Sequence, residues 1–475
     1  MLLLLILFPL AAAGIALLLP WHQGRSWLLP ASGALHLILV GLAVAEGAVG
    51  HGPWIGLDAL SRIVLVVTSL LYFGCALYAV AYFEQHRDRG NKVIVPCLLV
   101  FLSVMSLAIM ARHLGLLWIS VEATTIVSAP LIYYNRNQLS IEATWKYLLL
   151  CSVGIALAML GILFIAYAAL VGGGVPVSLQ FDTLLSGAAT LSRPWLHAGF
   201  VFLLVGFGTK MGLAPLHTWK PDAYGEAPGM VGALLAGGLT SVAFLAILRA
   251  LQLMNAAGDG AMARQQLLGL GLLSLLVATV FMVRQPDIKR LLAYSSVEHM
   301  GILAIGVGIG GLATFGAMLH LVNNALTKGC LFLAAGNIQR AYASKRLSEV
   351  HGAIATLPVS GYLFLAGFLA IAGSPPFGLF MSEFTILRGI FSRGETLVGL
   401  LILLLLAAIF IGMGATVLTA TQGDPVKLDT AFNDNFLLVA SPLGFLLLVL
   451  VLGVYLPEPM QTALREAAAL LEAKP

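Results

Sequence analysis

Residues 206–219 read GFGTKMGLAPLHTW, and residues 373–383 read GSPPFGLFMSE. Each run interrupts a long apolar stretch with proline, at Pro215 in the first and at Pro375 and Pro376 in the second. Proline removes a backbone donor and breaks a helix, and in a bilayer the freed backbone groups must face protein or water. Paired breaks are typical of transporters built from internal repeats. We therefore interpret both runs as broken membrane helices.

The composition predicts that lipid surrounds most of the chain. Of 475 residues, 60% are hydrophobic and only 10% are charged, whereas a soluble domain carries about 25% charged residues. A membrane helix needs about 20 mostly apolar residues, and a window of that length predicts about fourteen spans in an all-α polytopic protein. They lie near 2–20, 27–47, 59–83, 93–111, 113–134, 143–170, 196–218, 228–251, 265–284, 288–309, 311–336, 356–390, 396–419 and 434–456.

The two proline-containing runs fall in the seventh and twelfth predicted spans. Two inverted five-helix repeats, residues 93–251 and 265–419, would place the breaks five spans apart. Residues 1–92 would then form helices 1–3, and residues 434–475 would form helix 14 and a C-terminal tail. No soluble domain is expected, because the polar connections between spans are short.

The basic residues between the spans predict the orientation. With the N-terminus outside, about fourteen Lys and Arg lie on the inner side and about eight outside. We therefore expect a bacterial or archaeal cytoplasmic (inner) membrane protein with both termini outside. The N-terminal apolar stretch has no basic region ahead of it, so we interpret it as a retained helix. The inner residues are led by Arg87, Arg89, Lys92, Arg284, Lys289, Arg290, Arg340, Lys345 and Arg346.

Composition also argues against several kinds of partner. The basic residues are scattered singly between apolar runs, which does not indicate nucleic-acid binding. The four cysteines lack the paired spacings of iron–sulfur or zinc ligation. We therefore expect no cofactor, no metal and no catalytic centre in this chain.

Glu122 and Lys210 are the first pair of ionisable residues predicted to lie in the bilayer. Such residues are costly in hydrocarbon, so each is a hypothesis for a functional site. An ion pair between them would act as a switch, because each charge depends on the other. The alternative is a static pair that pins two helices.

A polar stripe follows on the eleventh predicted span. His320, Asn324 and Lys328 recur at every fourth position and share one helix face about 12 Å long. Histidine can relay protons through its two nitrogens, although a single membrane histidine is often only a packing residue. Glu383 would complete the path after the second break. Glu298 is interpreted as an interface or side-entry residue.

Four motifs resemble one family: GFGTKMGLAPLHTWKPDAYGEAP, RQPDIKRLLAYSSVEHMG, LHLVNNALTKGCLFLAAGNI and GSPPFGLFMSEF. They are similar to the antiporter-like subunits of respiratory complex I, membrane-bound nickel–iron hydrogenases and Mrp-type cation/proton antiporters. The absence of the family's eighth-helix lysine, together with SIEATWKYLLLCSVG and PPFGLFMSEF, resembles most the F-type branch of hydrogenase-4 subunits. The resemblance implies fourteen helices, two inverted repeats and ion translocation driven by redox chemistry elsewhere. It also implies further antiporter-like membrane subunits and a soluble iron–sulfur arm as partners.

The resemblance also assigns roles to residues. The matching positions are Glu122 on the fifth helix, Lys210 on the seventh, His320 and Lys328 on the eleventh, and Glu383 on the twelfth. Two positions depart from the pattern, because Ser241 replaces an eighth-helix lysine and Asn324 replaces a second histidine. The central step is then expected to use water with Ser241, Thr240 or His299.

Three further hypotheses compete with a proton-translocating subunit of a redox complex. A Mrp-like Na⁺/H⁺ antiporter subunit would favour clustered carboxylate and carbonyl oxygens, and the predicted axis has few carboxylates. An ion-coupled subunit of an inorganic-carbon uptake system would serve a soluble zinc partner. A structural scaffold has no reason to bear the cost of buried Lys and Glu.

Overall fold

Every regular element in the described part of the chain is a helix. The computed structural model describes residues 1–46, 52–173, 178–424 and 432–472, and β pairing there is limited to isolated bridges. Nine helices within these ranges are long and apolar enough to cross a membrane. The prediction of an all-α polytopic membrane protein is therefore confirmed.

The α-helices are numbered in chain order. In the first half they are α1 Leu2–Leu18, α2 His22–Ala45, α3 Ala59–Glu84, α4 Ile94–Met110, α5 Leu114–Ile132, α6 Gln138–Gly172, α7 Phe181–Ser186, α8 Arg193–Met211, α9 Trp219–Glu226, α10 Gly229–Ala233 and α11 Thr240–Ala256. In the second half they are α12 Gly260–Met282, α13 Ile288–Ile309, α14 Leu312–Tyr342, α15 Ala353–Thr356, α16 Pro358–Ile371, α17 Gly378–Ser392, α18 Thr396–Thr421, α19 Phe436–Val454 and α20 Glu458–Ala469. A π-helical turn, Leu234–Leu239, joins α10 to α11.

The helices differ in how much of their apolar length lies inside the protein. All of this length is buried in the segment Gly229–Ala256, which runs from α10 to α11, and 89% is buried in α13. By contrast, only 39% is buried in α18 and 28% in α19, whose outward leucines suit contact with lipid. The α10–α11 segment and α13 therefore lie at the centre of the bundle.

The first proline-containing run separates α8 from α9. Pro215 lies in the non-helical stretch between these helices. The backbone N–H of Ala214 donates to Ser274 Oγ at 2.9 Å, and Trp219 Nε1 donates to the Thr209 carbonyl at 2.8 Å. Side chains of the protein therefore satisfy backbone groups that the break frees, as membrane depth requires.

The second run separates α16 from α17 in the same way. Pro375 and Pro376 lie between these helices, and the N–H of Ser374 donates to the Leu369 carbonyl at 3.0 Å. Pro375 and Pro376 are exposed on the surface of the chain, and so is Pro215 in the first break. Both breaks therefore reach the outside of this single chain.

The short helix α9 joins the two halves of the bundle. It packs against α6 on one side and against α13 on the other. The helix α13 packs in turn against α14, and α14 against α17. Side chains on α9 can therefore reach polar groups of both halves.

Candidate functional site

Three lysines are buried in the bundle and form no ion pair in the described part of the chain. The side chains of Lys210, Lys220 and Lys328 are 0% exposed. None of them takes part in an ion pair within the described ranges. Burying a charge without a partner is costly, so packing alone does not explain the three lysines.

The first lysine is linked to Glu122 through a hydroxyl group. Lys210 Nζ donates to Thr125 Oγ1 at 2.7 Å and to the Tyr147 hydroxyl at 2.8 Å. Thr125 Oγ1 donates to Glu122 Oε2 at 3.2 Å, and Ser152 Oγ donates to Glu122 Oε1 at 3.0 Å. The direct ion pair that we expected between Glu122 and Lys210 is therefore replaced by a bridge through Thr125.

The end of α8 suits a cation at Lys210. This residue lies in the last turn of α8, where the helix dipole favours positive charge. Gly212 ends the helix in the left-handed region, at φ 83°, which glycine adopts without strain. The Lys210 ammonium also lies 4.8 Å from the centre of the Tyr147 ring. Neutral acceptors, a ring face and a helix end together stabilise the charge.

The second cluster surrounds Lys328 on α14. Lys328 Nζ donates to Ser295 Oγ at 2.7 Å and to the Leu292 carbonyl at 3.2 Å, both on α13. Glu298 on α13, three residues after Ser295, is only 3% exposed. Our interpretation of Glu298 as an interface residue is therefore wrong, because its side chain lies inside this chain.

A pair of histidines extends the second cluster. His299 Nδ1 and His320 Nε2 share a hydrogen bond at 3.0 Å, and His320 Nδ1 shares another with Ser382 Oγ at 3.0 Å. His299 Nε2 has no hydrogen-bond partner in the described residues and lies 3.9 Å from Glu298 Oε2. Ligand atoms of His299, His320 and Glu383 lie within 4.8 Å of one another, a spacing that also suits a metal ion.

Two predicted residues lie apart from these hydrogen bonds. Ser241 Oγ donates to the Gly237 carbonyl of its own helix at 2.6 Å. Asn324 is buried, and its Oδ1 has no partner among the described residues. Ser241 therefore makes no contact of the kind that the missing lysine would make.

Lys220, Thr125 and Tyr147 belong to the site but are not predicted from the sequence. Lys220 follows the seventh predicted span, which ends at residue 218, so the apolar window places it outside the membrane. Its Nζ donates to Ser296 Oγ at 3.0 Å in the interior. The motif HTWKPDA does contain a signal, since a lysine directly after a break can fold back into the bundle.

Broken helices and lysines, histidines and carboxylates buried in the bundle are features of an antiporter-like membrane subunit. The chain belongs to the NADH:quinone oxidoreductase/Mrp antiporter transmembrane family, whose sequence profile matches residues 111–412. The family resemblance of the four motifs is thereby confirmed.

Proteins similar to this chain come from different complexes. The hydrogenase-4 component F homolog of Methylacidiphilum infernorum (isolate V4) is 36% identical over 434 residues, which cover 89% of both chains. A chain of the Mrp complex from Dietzia sp. DQ12-45-1b has a TM-score of 0.87 at 20% identity, over 99% of this chain and 96% of that one. A chain of the archaeal membrane-bound sulfane sulfur reductase has the same TM-score and identity, over 99% and 97%.

Proposed function

We propose that this chain carries protons through the membrane along its central polar row, as a subunit of a multi-subunit redox complex of the hydrogenase-4 kind. The observation that carries the proposal is the linkage of Lys210 to Glu122 through Thr125, in the interior of a membrane protein. The 36% identity to a hydrogenase-4 component F homolog supports the choice of complex.

In the first half, the charge on Lys210 controls the hydroxyl of Thr125. While Lys210 is an ammonium, it donates to Thr125, which directs its own hydrogen to Glu122. A neutral amine can instead accept from Thr125, because loss of the proton leaves a lone pair on its nitrogen and the hydroxyl group can donate to it. The hydroxyl would then turn away from Glu122. Loss of a proton from Lys210 thus removes a hydrogen bond from Glu122, although the two side chains are not in direct contact.

In the second half, protons would pass from Lys328 to the histidine pair. Ser295 accepts from Lys328, and the buried carboxylate of Glu298 lies three residues further along α13, 3.9 Å from His299 Nε2. Each imidazole can take a proton at one nitrogen and release one from the other. Glu383, beside both rings, would receive the proton at the end of the row.

We also propose that the chain has fourteen spans. Ten of them would form two inverted five-helix repeats, residues 93–251 and 265–419. The helix positions support this proposal, since each predicted span overlaps a helix or a broken pair of helices.

The predicted orientation in the membrane has support as well. Four of the predicted inner-side residues line one polar cavity of about 1070 Å³, namely Arg89, Arg340, Lys345 and Arg346. This face would be cytoplasmic, in a bacterial or archaeal inner membrane, with both termini outside.

The surface supports membrane partners. Irregular backbone at membrane depth is tolerated where protein or water covers it, but not against lipid. The exposed prolines of both breaks, Pro215, Pro375 and Pro376, therefore favour cover by neighbouring membrane subunits. We propose that these include further antiporter-like subunits and that a soluble iron–sulfur arm supplies the redox energy.

A Mrp-like Na⁺/H⁺ antiporter subunit is the second candidate. The fold favours neither candidate, because the Mrp chain and the sulfane sulfur reductase chain match with equal TM-scores. Glu122, held by two hydroxyl groups, is the one carboxylate described in the hydrogen bonds around Lys210. Cation sites favour several oxygen ligands, so this arrangement favours proton transfer over a Na⁺ site.

Purification of the tagged chain with its natural neighbours tests the proposal. The copurifying complex is reconstituted in liposomes, and internal pH is followed while the soluble subunits turn over, with and without Na⁺. We expect iron–sulfur subunits and proton movement in Na⁺-free buffer. Glu122→Gln should stop this movement, and Glu142→Gln, at an exposed position on α6, should not. Proton movement that requires Na⁺ and no redox subunit would support the antiporter instead.

A further inference from the structure

Lys220 is a buried lysine for which neither the family resemblance nor the proposed path gives a role. The only described hydrogen bond of its side chain runs from Nζ to Ser296 Oγ, at 3.0 Å. It lies near the start of α9, directly after the first helix break.

Lys220 and Lys328 bind neighbouring hydroxyl groups. Ser296 accepts from Lys220, and the preceding residue, Ser295, accepts from Lys328. Two adjacent residues of α13 therefore join the two lysines. When both side chains are charged, their ammonium groups repel each other.

The same short helix also reaches the cluster around Lys210. Trp219, the residue before Lys220, packs with its ring centre 5.0 Å from that of Tyr147. The Tyr147 hydroxyl accepts from Lys210. The ring centre of Tyr224, one turn further along α9, lies 5.8 Å from that of Trp219. The Lys220 ammonium lies 5.7 Å from the same Tyr224 ring centre. Lys220 therefore lies between the Lys210 and Lys328 clusters.

Ordinary structural explanations do not account for this lysine. A snorkelling lysine keeps its ammonium in water, but Lys220 is wholly buried. A static ion pair needs a carboxylate, and Lys220 has none in the ion pairs of the described ranges. Gly212 makes room for the side chain, because a Cβ at that position would overlap Lys220 Cε and Cδ.

We propose that Lys220 is a proton-carrying residue of the translocation path, placed between Lys210 and Lys328, and that it performs the central step, for which α11 offers hydroxyl groups, of Thr240 and Ser241, in place of a lysine. This proposal rests on the proposed proton translocation. In the step, an N–H bond of the Lys220 ammonium breaks and an N–H bond forms at a neutral Lys328. The Ser296 and Ser295 hydroxyls lie on the way, and no electron is transferred.

The location of Lys220 in its helix fits a transient carrier. It is the second residue of α9, at the positive end of the helix dipole, whereas Lys210 lies at the negative end of α8. The ammonium is therefore less stabilised at Lys220 than at Lys210. A proton that reaches Lys220 is favoured to move on.

Three variants of the reconstituted complex test the role of Lys220. Lys220→Met removes the proton carrier, and Lys220→Arg keeps the charge but does not release a proton. Lys289→Met is the matched control, because Lys289 is another buried lysine, whose ammonium binds the Ala227 carbonyl away from the proposed row. Subunit composition and proton movement per turnover are measured for each. We expect both Lys220 variants to lower proton movement about 100-fold in an intact complex, with the control unchanged.

Three results would overturn the assignment. Normal proton movement in Lys220→Met would remove Lys220 from the path, and normal movement in Lys220→Arg would reduce its role to a fixed charge. Failure of both variants to assemble would make it a structural residue and would also contradict the proposal. Glu122→Gln, measured in parallel, separates the two claims. If it blocks movement and the Lys220 variants do not, only the role of Lys220 is lost.

Discussion

His299 and His320 lie side by side on facing helices, with Nδ1 of the first 3.0 Å from Nε2 of the second. At this contact one ring donates and the other accepts, so a single proton is shared between them. The outer nitrogen of His320 is bound to Ser382, while Nε2 of His299 has no described partner and points towards Glu298. Of the two outer nitrogens of the pair, His320 Nδ1 is therefore hydrogen-bonded and His299 Nε2 has no described hydrogen bond.

Replacing His320 with glutamine should block transfer in the second half. Glutamine can form hydrogen bonds but cannot take up a proton on one side and release it on the other. His36→Gln is the matched control, since His36 is also buried and has both nitrogens bound, to Ser69 and Ser106. Proton movement should be lost in the first variant only. Equal losses in both would indicate a general packing defect.

Replacing Thr125 with valine should weaken the link between Lys210 and Glu122. Valine keeps the shape of threonine but has no hydroxyl group, so both hydrogen bonds are lost. We expect about tenfold slower proton movement, the effect of one hydrogen bond to a charged group. Thr125→Ser restores the hydroxyl and should restore the rate. If the valine variant matched the serine variant, the bridge would have no role.

Replacing Tyr147 with phenylalanine should have a smaller effect. Lys210 would lose one acceptor but keep Thr125 as the other. Proton movement should fall about fivefold or less, within the range for one modest hydrogen bond. A loss as large as that of Thr125→Val would instead make the tyrosine hydroxyl part of the path.

Asp58 and Arg249 should contribute to stability and not to transport. Asp58 caps α3 and forms a buried ion pair with Arg249 of α11. Burial would raise the pKa of the Asp58 carboxyl, but the Arg249 guanidinium and the hydrogen bonds from Ser61 hold it well below its usual range. Asp58→Asn should therefore cost about 3 kcal/mol near neutral pH, measured as a lower Tm.

The sign of the pH effect follows from that lowered pKa. The stabilisation by Asp58 is fully present above the ordinary aspartate pKa, near about 4, and is lost as the pH falls further. The difference in Tm between the wild-type protein and Asp58→Asn should therefore shrink in acid. A difference that stayed constant from neutral pH to about pH 3 would contradict the ion-pair explanation.

The broken helices could be predicted from the sequence because proline acts locally. Pro215, Pro375 and Pro376 remove backbone donors wherever the chain goes, and all three lie between helices. Glu298 could not be assigned in this way. Its neighbour His299 points about 100° away on the helix. This angle would place Glu298 on an outer face only if one side of α13 faced outwards. Because most of α13 is buried, both residues lie inside.

The hydroxyl groups and Lys220 depend on tertiary packing. Threonine and tyrosine are common in membrane helices, so nothing marks Thr125 or Tyr147 before α5, α6 and α8 come together. Lys220 lies beyond the apolar window that defines its span. Only the chain reversal after Gly212 brings it back into the interior.

Lys328→Met tests most directly whether the two halves form one proton path. This lysine links α14 to α13 and binds Ser295, next to the Ser296 hydroxyl that binds Lys220. Lys146→Met, at a half-exposed ion pair on α6, is the control. Proton movement per turnover in liposomes should disappear in Lys328→Met and persist in Lys146→Met, with both complexes intact. Undiminished proton movement in an intact Lys328→Met complex would contradict the continuous path.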